Sequence, residues 1–169
     1  MITIVTPTGE RSDAFALCQR MLERQDFKGP VHWVVVDDDR EPSIVSLNRK
    51  DWKVTVLRPE PYWQPGDNTQ GRNLKAAFSA FDKPELLTVW EDDDWYAPGW
   101  LSQIWRRRND ADLIGESNAV YYNVKTRRWE AMRNTNHASL RCTAMSGQAI
   151  DAFWSVLQKP NRYYDLVGS

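Results

Sequence analysis

Hydrophobic positions along the chain fall into two recurring patterns. Short, largely continuous apolar runs occupy residues 1–5, 31–36, 54–57 and 86–90, as in strands that are buried on both faces of a parallel sheet. Stretches with an apolar residue at every third or fourth position follow most of these runs. The alternation predicts strands joined by helices, which is the pattern of an α/β fold with a mostly parallel central sheet.

Four segments carry apolar residues at helical spacing, and each is predicted to bury one face. Ser12 or Asp13 is expected to cap the first helix, because both side chains accept hydrogen bonds from free backbone N–H groups. Residues 72–73 are expected to open the second helix. The third is predicted over residues 99–108 and the fourth over about 148–157.

The segment between the third and fourth helices has the features of β-structure. Residues 113–124 are predicted to form one strand, and the polar residues 125–128 a turn. Residues 129–132 would then return as the second strand of a hairpin.

The apolar run at residues 86–90 ends abruptly in four acidic residues, 91–94. Closely packed carboxylates repel one another, and a divalent cation is the usual way to offset that repulsion. Oxygen ligands favour Mg²⁺ or Mn²⁺ over zinc. The acids are therefore interpreted as a metal site at the carboxyl end of a strand, where ligands bind in open α/β sheets. A solvated acidic turn is the alternative.

Three aspartates, residues 37–39, also follow the second predicted strand. Acids in this position commonly accept hydrogen bonds from ribose hydroxyls or from a base, although a solvated turn explains them equally well. No GxGxxG motif follows the first strand, so the sequence does not support a classical dinucleotide-binding fold.

A proline-rich loop over residues 59–66 precedes the second helix and is predicted to leave Tyr62 and Trp63 exposed. Loops of this length that carry aromatic residues are often functional. Arg72, in the first turn of the next helix, opposes the helix dipole, which suggests that it faces an anion. An ordinary surface arginine is the alternative.

Composition limits the class of protein. The 169 residues, 41% of them hydrophobic, are enough for a single globular domain with its own core. Residues 1–94 hold 12 basic and 17 acidic side chains, whereas residues 95–169 hold 10 and 6. Cys18 and Cys142 are too few for a disulfide framework and are expected to be reduced thiols. No membrane span or signal peptide is expected, and the predicted location is the cytoplasm.

The order of these motifs resembles the GT-A fold glycosyltransferases that use nucleotide sugars, in particular the family 2 type. Four landmarks carry the resemblance: ITIVTPTGERSDAFALCQRML as the first strand and helix, VVVDDD, GRNLKAAF, and TVWEDDDWYAPGWL as the metal-binding DXD strand. The resemblance covers residues 1–105 well. It implies a single GT-A domain over residues 1–169, with a nucleotide-sugar and metal half at 1–105 and an acceptor half at 106–169. The short chain would suit a phage or bacterial form.

The resemblance also assigns roles to individual residues. Asp93 is the preferred metal ligand, with Asp92, Asp94 and His137 as further candidates for Mn²⁺ or Mg²⁺. Alternation along a strand would place Glu91 and Asp93 on one side and Asp92 and Asp94 on the other. The residues implied to bind the nucleotide sugar are Thr6, Pro7, Thr8, Arg11, Asp37, Asp38, Arg72, Asn73, Glu91 and Asp92.

The implied activity is a metal-dependent hexosyl or related transfer from a nucleoside-diphosphate sugar, most simply a UDP-sugar, to an acceptor hydroxyl. A carboxylate would act as general base, and the candidates are Asp165, Asp151 and Glu116. A single displacement would invert the anomeric carbon, although retention is the open alternative. Only four residues follow Asp165, so the part of the protein that binds the acceptor is expected to be either smaller than in the family or completed by a partner, for instance in a homo-oligomer.

The acceptor is left open among a sugar, a lipid-linked sugar, a protein and a modified base in DNA. Arginines and aromatic residues in the second half of the chain would suit an anionic acceptor such as DNA, although the net charge of +4 in residues 95–169 is modest for a DNA-binding segment. They are Arg106–Arg108, Arg127, Arg128, Arg133, Arg141, Tyr121, Tyr122 and Trp129. Two other classes compete with a glycosyltransferase: a metal-dependent nucleotidyltransferase, and a module that binds sugar or nucleic acid without catalysis.

Overall fold

The computed structural model of the protein describes residues 1–123 and 125–159. Single 3₁₀ turns occupy Phe78–Ala80 and Leu140–Cys142. The strands are β1 (Ile2–Thr8), β2 (Val31–Asp37), β3 (Lys53–Leu57), β4 (Leu86–Val89), β5 (Leu113–Gly115), β6 (Val120–Asn123), β7 (Arg128–Ala131) and β8 (Thr143–Met145). The helices are α1 (Ser12–Glu23), α2 (Gln70–Ala77), α3 (Trp100–Arg107) and α4 (Gly147–Leu157).

Six strands form the central sheet in the order β3-β2-β1-β4-β8-β5. The first four strands of this order run parallel, whereas β8 runs antiparallel to both of its neighbours. The carboxyl ends of β1, β2 and β4 therefore lie side by side at one edge. This mixed, mostly parallel α/β architecture confirms the fold class expected from the alternating pattern.

Helices cover both faces of the sheet. Helices α1 and α3 pack with one hydrophobic cluster, which includes Trp33 from β2, and α2 and α4 pack with the other, which includes Val34. Successive residues of β2 point to opposite clusters, and both are fully buried. This burial on both faces explains the continuous apolar runs, since neither side of the strand meets water.

The predicted strand over residues 113–124 is wrong in its continuity. The chain forms β5, leaves the central sheet, and resumes as β6, which pairs only with β7 in a separate two-stranded sheet. The break falls at residues 116–119, which include Ser117 and Asn118, two residue types that favour turns. The Glu116 N–H donates to the Cys142 carbonyl where the chain departs. The predicted hairpin is confirmed.

Two helix starts also differ from the sequence expectation. Helix α1 begins at Ser12, but its cap position is Arg11 and no side-chain cap hydrogen bond forms there. Helix α2 begins at Gln70, two residues before the predicted start. Within the described residues, none of the helices has the length and apolar character that crossing a membrane requires. Cys18 and Cys142 are both buried and unpaired.

Helix α1 offers a matched test of the core. Leu22 is fully buried against the sheet, whereas Leu17 on the same helix is half exposed. We expect Leu22→Ala to lower the free energy of unfolding by about 3 kcal/mol, because it removes transfer energy and leaves a cavity. Leu17→Ala should change it by less than about 0.5 kcal/mol. Urea unfolding of both variants measures the difference, and equal losses would contradict the packing described here.

Candidate functional site

A pocket of about 510 Å³ opens at the sheet edge where β1, β2 and β4 end. Thr8 and Arg11 line it from the chain after β1, Asp38 from the end of β2, and Asn73 from α2. Residues 91–93, directly after β4, complete the acidic side. The pocket therefore collects residues from all four segments in which the sequence predicts nucleotide or metal binding.

Three of the four consecutive acids come together beside this pocket. One carboxylate oxygen from each of Glu91, Asp93 and Asp94 lies within 4.8 Å of the others, a spacing that suits shared ligation of one cation. Asp92 points away from them into the protein, where its Oδ2 accepts a hydrogen bond of 2.7 Å from the Thr8 hydroxyl. The literal DXD pair, Asp92 and Asp94, is therefore not brought together.

The alternation expected for these acids is wrong for Asp94, which joins Glu91 and Asp93. Strand β4 ends at Val89, so residues 91–94 lie beyond the pleated backbone that would impose alternation. They form a turn in which the Asp94 N–H approaches the Glu91 carbonyl at 3.5 Å.

Two arginines partly neutralise the acids. Arg11 Nη1 lies 2.7 Å from Asp93 Oδ2 and 3.3 Å from Asp92 Oδ1. Arg141 Nε lies 3.3 Å from Asp94 Oδ2. Sequence reasoning assigned Arg11 to the nucleotide pocket but gave Arg141 no place at the acids. No local signal marks Arg141, because it is distant in sequence and is brought in by the turn before β8.

Negative charge on the acids is still unfavourable despite these partners. Burial, followed by the hydrogen bond and charge of Asp94, raises the pKa of Glu91 to about 7, and the Gln70 amide at 2.9 Å only partly opposes this. Burial also raises the pKa of Asp92 and of Asp94, although Thr8 and Arg141 act in the opposite direction. An all-carboxylate site of this kind fits a hard divalent cation such as Mn²⁺ or Mg²⁺.

Aromatic residues on either side of the acids tie the turn to the core. The ring of Tyr96 stacks on Trp90 at 3.8 Å between centroids, and its hydroxyl oxygen accepts the Glu91 N–H at 2.9 Å. Tyr96 also contacts Trp100 at the start of α3. The acidic turn is thus held between β4 and α3. Sequence reasoning missed this role of Tyr96, although an aromatic residue on each side of the acids was visible in VWEDDDWY.

The two buried aspartates after β2 have different partners. Asp37 accepts backbone N–H groups from Asp39 at 3.0 Å and Ser43 at 2.8 Å, and it does not line the pocket. Asp38 lines the pocket and pairs with Arg72 Nη2 at 2.8 Å. Arg72 does face an anion, as its position in the first helical turn suggested, and in this structure that anion is the Asp38 carboxylate.

Gly9 leaves room for the Asp38 carboxylate. A Cβ atom at this position would collide with Asp38 Oδ1, so any other residue would displace this carboxylate. Pro7 and Thr8 line the pocket beside it, as expected from the sequence. Thr6 lies beneath the pocket, fully buried, where its hydroxyl accepts the Trp33 indole N–H at 2.9 Å.

The proline-rich loop contributes an aromatic wall. Trp63 is half-buried rather than exposed and lines the pocket. Its backbone N–H donates to the Asp38 carbonyl at 2.8 Å, and its indole N–H donates to the Asp67 carbonyl at 3.1 Å. Tyr62 is also half-buried, against the guanidinium of Arg58. The expected exposure is wrong because these backbone and side-chain bonds fold the loop onto the end of β2.

Within the described residues, the candidate general bases Asp151 and Glu116 are not brought to the pocket. Asp165 lies outside the described residues. Asp151 lies on α4, exposed and paired with Lys83 at 2.9 Å, and Glu116 is exposed after β5. His137 is exposed in its loop and is not one of the three acidic residues grouped at the turn. The roles of these four residues remain predictions.

Comparison with known proteins points to one class of fold. No protein-family model matches the sequence, and no curated protein matches it. Among solved structures, the mannosyltransferase PcManGT from Pyrobaculum calidifontis, in complex with GDP-Man and Mn²⁺, aligns with a TM-score of 0.57 and 14% identity over 89% of this chain and 46% of its own. S. aureus TarS 1-349 aligns with a TM-score of 0.53 and 16% identity over 86% of this chain and 46% of its own. The complex of TarS 1-349 with UDP-GlcNAc aligns with a TM-score of 0.50 and 17% identity over 66% of this chain and 32% of its own.

The chain therefore spans less than half the length of the structures it matches. At this identity the likeness concerns the fold, which is a GT-A-like glycosyltransferase fold, as the order of motifs predicted. The family 2 assignment and a phage or bacterial form remain predictions.

The raised pKa of Glu91 predicts a pH dependence of stability in metal-free protein. The folded state holds this proton up to about pH 7, whereas the unfolded chain releases it near 4.5. The contribution of Glu91 to stability is therefore full below about pH 4.5 and is lost as the pH rises through about 7. We expect Glu91→Gln, which cannot ionise, to gain stability over the native protein between pH 5 and pH 8 in EDTA.

Thermal unfolding across this pH range measures the effect. Glu41→Gln, which changes an exposed glutamate, is the matched control and should show no such trend. If the difference in unfolding temperature between Glu91→Gln and the native protein does not change with pH, the raised pKa of Glu91 is refuted.

Proposed function

We propose that the protein is a metal-dependent glycosyltransferase that moves a sugar from a nucleoside-diphosphate sugar, with UDP-sugars as the first candidates, to an acceptor hydroxyl. The observation that carries the proposal is the group of carboxylates from Glu91, Asp93 and Asp94 at the mouth of the 510 Å³ pocket. Solved structures of similar fold hold the corresponding class of ligand, UDP-GlcNAc in TarS and GDP-Man with Mn²⁺ in PcManGT.

These three residues would hold Mn²⁺ or Mg²⁺. The bound ion would supply positive charge to the diphosphate as it leaves the sugar. Arg11 lies on the exposed rim and already contacts Asp93 and Asp92. Arg11 would be the residue to bind a phosphate oxygen beside the cation site, because its guanidinium carries a planar set of donors suited to phosphate.

The opposite end of the pocket is suited to the nucleoside. Asp38 presents a buried carboxylate, held by Arg72, that can accept hydrogen bonds from a ribose hydroxyl or a base N–H. The indole of Trp63 provides an apolar wall, and the buried Asn73 provides an amide from α2. We assign the nucleoside to this end because the acidic turn, which needs the cation, lies at the other.

The chemical step follows from this arrangement. The acceptor oxygen forms a bond to the anomeric carbon while the bond from that carbon to the diphosphate breaks, and a carboxylate takes the acceptor proton. A single displacement of this kind inverts the anomeric carbon. Asp165 is the proposed base, and Asp151 and Glu116 are the alternatives. Residues 1–105 would bind donor and metal, and residues 106–169 would bind the acceptor.

Calorimetric titration of UDP and GDP, each with and without Mn²⁺, tests the donor site. We expect binding that depends on the metal, and we expect Asp93→Asn to weaken it at least 10-fold, because one charged ligand is lost. Asp110→Asn is the matched control, since Asp110 is exposed at the end of α3 and lies outside the acid group.

Product analysis then distinguishes the reactions. A glycosyltransferase releases a nucleoside diphosphate from a nucleotide sugar, whereas a nucleotidyltransferase releases pyrophosphate from a nucleoside triphosphate. Absence of binding across a panel of UDP, GDP, dTDP and ADP with metal would refute the proposed function.

A further inference from the structure

The β6-β7 hairpin presents an exposed aromatic face. Tyr122 and Trp129 are directly opposite each other in the pairing register, so their side chains lie on the same face of the ribbon. Tyr122 is 58% exposed and Trp129 69% exposed. Val120, 52% exposed, lies on this face as well, because strand residues two apart point the same way. Large apolar side chains grouped in this way are typical of interaction sites.

The other face of the ribbon connects the hairpin to the acidic turn. Tyr121 lies on that face and packs against the guanidinium of Arg141, 5.7 Å from its ring centroid. Arg141 in turn pairs with Asp94. The exposed aromatic face is therefore carried by an element that touches the proposed metal site through only one intervening side chain.

Positive charge is concentrated at the hairpin. Lys125, Arg127, Arg128 and Arg133 are all exposed, and none forms an ion pair within residues 1–123 and 125–159. Glu130 is the one acid of the two hairpin strands, and the register places it opposite Tyr121 on the other face, where Arg128, two residues away on the same strand, also lies. The hairpin thus combines an exposed aromatic face with nearby cations, Lys125, Arg127 and Arg133, that form no ion pair within the described residues.

Two of these arginines occupy unfavourable backbone positions. Arg127 has a φ angle of 53° and Arg133 one of 52°, in the left-handed region where a Cβ atom is crowded and glycine is the unstrained choice. The Cβ atom of any side chain at such a position costs stability that glycine would not. Backbone positions of this kind cluster at functional sites.

We propose that Tyr122, Trp129, Lys125, Arg127 and Arg133, together called the hairpin platform, dock a single-stranded nucleic acid that serves as the acceptor. The inference rests on the proposed function, because it names the acceptor class of that reaction. Aromatic rings stack on unpaired bases, and the guanidinium groups of arginine residues bind phosphate oxygens. A neutral sugar would use the rings but would gain nothing from the three cations, whereas a nucleic acid strand uses both.

Fluorescence anisotropy of a labelled 20-nucleotide oligothymidylate with the full chain tests the platform. We expect saturable binding that weakens as salt concentration rises, because phosphate contacts release counterions. Trp129→Ala should weaken binding by about 10-fold, the usual effect of losing one stacked base. Arg24→Gln/Lys50→Gln removes two exposed cations away from the hairpin and should leave binding unchanged.

The strained arginines provide a sharper test. We expect Arg127→Gly/Arg133→Gly to unfold at the same temperature as the native protein or higher, while it binds the oligonucleotide more weakly and with a shallower salt dependence. A purely structural role would change stability and binding in the same direction. Arg127→Lys/Arg133→Lys keeps both the charge and the strain and should retain most of the binding.

Several outcomes would overturn the proposal. If polyphosphate binds as tightly as the oligonucleotide and Trp129→Ala has no effect, the hairpin is only a charged patch. If duplex DNA binds more tightly than the oligonucleotide, the partner is not single-stranded. UDP or GDP titrated with Mn²⁺ into the same preparations separates the two ideas. If UDP or GDP binds and the oligonucleotide does not, the hairpin platform is refuted and the proposed donor site stands. If neither nucleotide binds, the proposed donor site is refuted, whatever the oligonucleotide does.

Discussion

Four carboxylates in a row repel one another, and the structure around residues 91–94 disperses that repulsion. Asp92 turns inward to the Thr8 hydroxyl, Asp93 meets Arg11, and Asp94 meets Arg141. Glu91 bonds to the neutral Gln70 amide but also to the Asp94 carboxylate, and with its burial this raises the pKa of Glu91, so that Glu91 holds its proton to an unusually high pH. The remaining acidity is the property that makes this turn suited to a cation, since a fully neutralised cluster would have little affinity for one.

The partners of these acids come from widely separated parts of the chain. Thr8 and Arg11 follow β1, Gln70 opens α2, and Arg141 precedes β8. Because β1 and β8 flank β4 in the sheet, the acids acquire their partners only when the strand order is complete. The site is therefore a product of sheet assembly rather than of the acidic segment alone, and its geometry is as stable as the pairing of three strands.

The sequence predicted most of the strands and the location of the acids, but it did not predict which acid does what. Continuous apolar runs identify buried strands because both faces exclude water, and this pattern is local. The roles of Asp37 and Asp38 depend on which of them meets the backbone N–H of Ser43 and which meets Arg72, and these are contacts across the fold. Arg141 was missed for the same reason. The alternation rule failed at Asp94 because no local pattern showed that the strand had already ended at Val89.

The hairpin has a further consequence that follows from its topology. Strands β6 and β7 pair only with each other and share no ladder with the central sheet. Substitutions on their outer face therefore change few contacts on which the core depends, and effects at separated sites tend to add independently. If the hairpin platform binds the acceptor as proposed, acceptor preference can change through substitutions on this outer face while the pocket at the sheet edge and the sheet that supports it keep the same sequence.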